Sequence, residues 1–173
     1  AIQINTGGTA SSTFGNLTVA GQLNSTTTGW TLSAGTTTIT VTGPSWLVAG
    51  TVTSTSGTLT FTGAVSSTGS IGSNSGNMLF SSTLQNNNLL QIGSGTVTTT
   101  GALTNAASAT IRNQAGVLSA SGDFTQNGAY TTSTSSIFRL SGAGSQSITG
   151  SFWNNLESQK TAGTATIVTN NAT

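Results

Sequence analysis

A chain of 173 residues has room for one domain, and its charge count narrows the field at once: Lys plus Arg number 3, Asp plus Glu 2 and His 0, beside 34% hydrophobic residues. Only 3% of the chain is charged, where an ordinary domain carries about 25%, and three cations at Arg112, Arg139 and Lys160 cannot supply the dense basic field that nucleic acids require. Recurrent Val, Ile, Leu, Phe and Trp argue for a folded core over disorder, no apolar run approaches the roughly 18 residues of a membrane helix, and zero Cys removes disulfides and thiolate metal sites.

The chain opens on Ala1-Ile2-Gln3-Ile4-Asn5, an alternating strand that begins as a mature secreted protein would. Phe14-Gly15-Asn16-Leu17-Thr18-Val19 follows, an aromatic, a spacer, Asn and Leu leading into a strand. The runs Thr38-Ile39-Thr40-Val41-Thr42, Thr51-Val52-Thr53 and Thr58-Leu59-Thr60-Phe61-Thr62 set apolar residues on one side and Thr on the other, with β-branched residues suited to a pleated backbone. Ser82 to Leu90 is the nearest approach to a helical segment, yet Asn86-Asn87-Asn88 in its middle reads as a turn. Thr96-Val97-Thr98 and Ala165-Thr166-Ile167-Val168 continue the strand rhythm, and the 23 Gly recur as corners between runs.

This pattern predicts an all-β chain, residues 1–173 forming a single domain. The runs group into irregular units of roughly 20 to 27 residues, starting near Gln22, Pro44, Ile71, Thr96, Val117 and Ser145. A strand, a Gly corner, a Thr-rich strand and a closing Gly, as from Gly50 to Gly63, is how one coil of a right-handed parallel β-helix (β-solenoid) reads. The alternative from the same strand spacing is an antiparallel β-sandwich.

Two C-terminal stretches carry more than rhythm. Ser121-Gly122-Asp123-Phe124-Thr125-Gln126-Asn127-Gly128, and Gly144 to Phe152 with Trp153-Asn154-Asn155-Leu156 and Thr161 to Ile167, resemble tandem repeats of large secreted bacterial surface proteins. These include the β-helical passenger regions of autotransporters and filamentous-haemagglutinin-like adhesins. The resemblance covers about the last third of the chain. It implies a β-helix outside the cell, used for adhesion, matrix or filament building.

Chemistry has few residues to draw on. Asp123 and Glu157 are the only carboxylates, and the expected roles are an Asp at a turn and a Glu paired loosely with Lys160. Calcium-braced β-helices place an Asp in every repeat, so no catalytic, cofactor or metal residue is assigned and an enzyme is not expected. Trp30, Trp46 and Trp153 with Tyr130 would make a sugar-stacking platform if they shared an outer face, although large rings are first needed as core fillers. Thr-x-Thr runs stacked coil on coil resemble the ice-binding face of some antifreeze solenoids. Asn16-Leu17-Thr18, Asn24-Ser25-Thr26 and Asn171-Ala172-Thr173 fit the N-glycosylation pattern, which chance also produces in an Asn- and Thr-rich chain.

Neither end carries a helix or charged cap that would blunt an open strand edge. The expected subunit interface is therefore Ala1, Ile2, Ile4, Phe14 and Leu17 at one end, and Trp153, Leu156, Ile167 and Val168 at the other. The function that follows is a structural subunit of an extracellular bacterial filament or matrix fibre, polymerising head to tail, with itself as principal partner. Host or environmental glycans are a second partner class, and neither nucleic acid nor membrane insertion is expected. An adhesin or glycan-binding module of a larger surface protein, and an ice-binding solenoid, are the alternatives.

Overall fold

A computed structural model describes residues 2–4, 9–11, 16–25, 29, 31–47, 49–150 and 155–168. Its described residues hold 24 strands and no helix. Through the first 22 strands the chain visits three sheets in rotation, so each sheet collects every third strand; the last two described strands add to the third and first sheets, and every pairing is parallel. The sheets contain nine, seven and eight strands, and all three are visited in seven complete coils. The chain is a β-solenoid, not a sandwich.

Strands fall where the Thr alternation placed them, at Thr38–Val41, Thr51–Ser54, Thr58–Phe61, Thr96–Thr99 and Ala165–Val168. Asn86 ends the strand Leu84–Asn86, and the turn lies at Asn87 and Asn88 before Leu89–Ile92 begins. Coil length follows from the register. In the third sheet Ile39, Leu59, Met78, Val97, Leu118, Phe138 and Leu156 lie in one column, with steps of 18 to 21 residues. The longest step measured, Phe124 to Ile148 in the first sheet, is 24.

The interior is a set of such columns. Val65, Leu84, Leu103, Phe124 and Ile148 line the first sheet, Leu32, Val52, Ile71, Leu90 and Ile111 the second, and all are buried. Because each residue rests on its counterpart one coil away, shapes must match along the axis. Phe61 stacks on its register partner Phe80 with ring centroids 5.4 Å apart, and within one coil Phe124 of the first sheet meets Phe138 of the third across the interior at 5.2 Å.

One inner column is polar: Ser67, Asn86, Asn105 and Gln126 at the end of the first-sheet strands. Buried amides need partners, and they find them along the axis. Asn86 donates to Asn105 Oδ1 at 2.7 Å and to the Thr110 carbonyl at 3.1 Å, while Asn105 donates to the Ala129 carbonyl at 3.1 Å. The inner amides thus tie one coil's corner to the next.

Corners are also where backbones come closest. Gly57, Gly76, Gly95 and Gly116 form a column in which a Cβ on each would collide with the backbone of the coil before it. Backbone bonding continues through the corners, for example Thr62 N–H to the Val41 carbonyl at 2.9 Å and Ser81 N–H to the Phe61 carbonyl at 2.8 Å. Gly95→Ala should therefore destabilise the chain by about 1–3 kcal/mol. Gly72→Ala, where the added methyl meets Gln91 O and Thr53 Cγ2 at 3.9 Å, serves as the tolerated control. Urea unfolding of both variants checks the pair, and equal midpoints would contradict the corner constraint.

Candidate functional site

Three surface features distinguish this rod from a featureless stack: its last coils, its outer Thr rows, and one exposed Trp. In the last coils the inner columns run out. Leu156 continues the column of Phe138, and Ile167 that of Ile148, yet they are 44% and 41% exposed whereas Phe138 and Ile148 are 2% and 0%. Val168, on the opposite side of its strand, is also exposed. The second sheet ends in the same condition among the described residues, with Ala129, Thr131 and Thr132 exposed on the strand Ala129–Thr132.

Of the expected interface residues, Leu156, Ile167 and Val168 thus share one open end. Leu17 occupies the opposite edge of the third sheet, half-buried against the core cluster in the column of Ile39. Ile2 and Ile4 lie on the first strand of the first sheet. Ala1, Phe14 and Trp153 lie outside the described residues, as do Trp30 and Phe152.

Charge is confined to the same region as the open end. Arg112 is the first charged residue in the sequence, so all five ionised side chains fall between Arg112 and Lys160. The expected pairing of Glu157 with Lys160 is corrected by the register. Residues three apart on one strand point to opposite faces, whereas Arg139 lies directly beside Glu157 on the neighbouring strand. Arg139 holds Glu157 Oε2 through Nη2 at 2.9 Å and Nε at 3.0 Å. Lys160 reaches the Gly144 carbonyl at 2.6 Å and Gln146 Oε1 at 2.8 Å.

Asp123 sits just before the strand Phe124–Gln126 and accepts the Ser147 N–H at 2.8 Å, a bridge from one coil to the next. It is in the first sheet and Glu157 is in the third. Among the described residues no three of His, Cys, Asp and Glu gather at one place.

The aromatic platform is not assembled. Tyr130 points inward in the column of Ile111, packs against the core and meets Phe124 edge-on at 6.5 Å. Trp46 takes the other side: on Ser45–Leu47 it faces outward at 53% exposure while Ser45 and Leu47 are buried. The core-filler expectation is corrected for Trp46, because the buried column is taken by its two strand neighbours.

Outward Thr pairs stack in the third sheet as Thr38/Thr40 over Thr58/Thr60. The next coil brings Asn77 and Leu79, Thr96 and Thr98 restore the pair, and further on the row becomes Ser119, Arg139 and Glu157. The register gives Thr over Thr for three successive coils at Thr18, Thr40 and Thr60, and for two at Thr38 and Thr58, before Asn77 and Leu79 interrupt both rows.

No family model, curated protein or solved structure matches this chain.

The Tyr130 hydroxyl reports on the integrity of the coils beneath the open end. Burial pushes its pKa from 10.0 up to about 12, against an opposing hydrogen bond from the Asn113 side chain. The folded chain therefore keeps a proton that the unfolded chain loses above pH 10. This group's contribution to stability is complete below pH 10 and falls as pH rises, by roughly 2 kcal/mol on reaching pH 12. Thermal melts between pH 8 and 12 should show this decline, and Tyr130→Phe should remove it. A decline of the same size in Tyr130→Phe would contradict the assignment.

Proposed function

We propose that the chain is a structural subunit of an extracellular bacterial filament or matrix fibre, extended head to tail by stacking one subunit's open coils on the next. The observation that carries the reading is the exposure of Leu156 and Ile167, whose columns are buried from Ile39 to Phe138 and from Leu23 to Ile148.

Magnitudes decide what a junction needs. Fully burying an aliphatic side chain is worth about 1.5–3 kcal/mol, and these two are already more than half covered. They contribute about 2 kcal/mol together, well short of the roughly 4–15 kcal/mol lost on association. The rest has to come from backbone ladders on the edges of Asn155–Lys160, Ala165–Val168 and Ala129–Thr132, the last strands of their sheets among the described residues, each bond adding about 1 kcal/mol. A junction therefore requires strand-edge pairing, and the same parallel stacking as inside the subunit is the geometry that supplies it.

Two further observations support the reading. Charge is sparse and Arg139 and Glu157 neutralise one another, so like subunits meet little repulsion. The resemblance of the last third to secreted bacterial surface repeats is the support for reading such a fibre as extracellular. The ice-binding reading draws less support, since Asn77 and Leu79 interrupt the Thr rows it would need.

Electron microscopy of the purified protein should show uniform unbranched fibres that persist on dilution. Leu156→Asp with Ile167→Asp should raise the concentration needed for assembly by about tenfold or more, as a loss of about 1.4 kcal/mol per junction requires. Melting of the inner coils should be preserved in that variant. Discrete monomers at every concentration, or unchanged assembly by the double variant, would overturn the proposal.

A further inference from the structure

The exposed Trp46 has no structural task that its surroundings explain. Its register neighbours on the outer face of the first sheet are Asn24 and Ser66, followed by Gln85 and Thr104. A ring placed there fills no gap in the core, since Ser45 and Leu47 already occupy the inward positions. It lines a shallow depression of about 150 Å³ together with Pro44, Val65, Ser66 and Gln85.

The polar groups around the ring are fixed by bonds among themselves. Asn24 donates to Gln22 Oε1 at 3.2 Å while its Oδ1 accepts the Trp46 N–H at 3.3 Å. Across the depression Gln85 donates to Asn87 Oδ1 at 3.0 Å, and Asn87 donates to Ser66 Oγ at 3.3 Å. These contacts hold the side chains in place and leave hydrogen-bonding capacity over. Ser66 keeps a hydroxyl hydrogen to donate, and Gln85 keeps a carbonyl oxygen to accept. Charge is missing altogether, because no ionisable side chain precedes Arg112 in the sequence.

We propose that Trp46, with Ser66 and Gln85, forms a binding subsite for a neutral saccharide, the indole stacking on the apolar face of a pyranose ring while the hydroxyl and amide bond its equatorial hydroxyls. An exposed flat ring with pinned, uncharged donors and acceptors complements a ligand that is itself uncharged, with one apolar face and a polar rim. A phosphate or carboxylate ligand would find no cation there, and a purely apolar ligand would leave the amides without partners. The subsite lies on a side face of the rod, so it does not depend on whether the ends stack.

The test uses the whole chain and a panel of neutral oligosaccharides, cellohexaose, maltohexaose and chitohexaose, read by tryptophan fluorescence and by calorimetry. At least one should bind saturably. Trp46→Ala should weaken that binding by about tenfold or more, corresponding to about 1.4 kcal/mol, with the melting temperature preserved because the ring is exposed. Trp46→Tyr should retain most of the affinity, and Gln85→Ala should lose several-fold. Absence of binding to all three sugars, a response confined to sulfated or carboxylated glycans, or equal binding by Trp46→Ala would each overturn the proposal. So would a Trp46→Ala variant that changes only self-association, which would make the shelf a lateral contact between copies.

Discussion

Everything in this molecule answers to the parallel backbone ladder between successive coils. Strands in such a ladder lie about 4.8 Å apart, so each residue has its counterpart of the coil below as its nearest neighbour. Side chains must therefore be compatible with their own column along the axis. Phe61 lies flat on Phe80, buried Asn86 bonds Asn105, and Gly76 sits over Gly57 because no Cβ fits between corner backbones. The same rule acts outside, where Arg139 meets Glu157 and Thr40 meets Thr60. At the last described strands the same columns reach Leu156 and Ile167, which are exposed.

Much of this was legible in the sequence. Alternating runs such as Thr58-Leu59-Thr60-Phe61 disclose a strand and its buried side, and the Gly spacing discloses the corners. The coil starting near Ile71 was harder to place, because the first-sheet strand of that coil is Val65–Ser67, with Ser67 buried where an apolar residue would be expected. Ser67, Asn86, Asn105 and Gln126 conceal one inner column, since a polar residue announces an interior position only when its partner one coil away is known. Arg139 and Glu157 are 18 positions apart, so their pairing requires the register that a single strand does not disclose. Trp46 could have been found locally: in Ser45-Trp46-Leu47 a buried Leu47 sends the ring outward, against the general preference of large rings for the core.

Charged side chains are few, and most of them tie strands together: Asp123 bonds Ser147 and Arg139 clasps Glu157 between successive coils, while Lys160 bonds Gln146 within the last one. In the proposed reading the end with exposed columns extends the rod, and the side face at Trp46 offers a contact to the surroundings. Both follow from a chain whose polar groups are almost all uncharged, which permits like surfaces to approach and favours uncharged ligands.

The most direct measurement of the central claim is amide hydrogen exchange on assembled and dilute protein, resolved to individual strands. If subunits join by continuing the backbone ladder, assembly should slow exchange on the open edges of Asn155–Lys160, Ala165–Val168 and Ala129–Thr132, while inner strands such as Met78 to Phe80 stay as protected as before. Unchanged exchange in those end strands on assembly would contradict it.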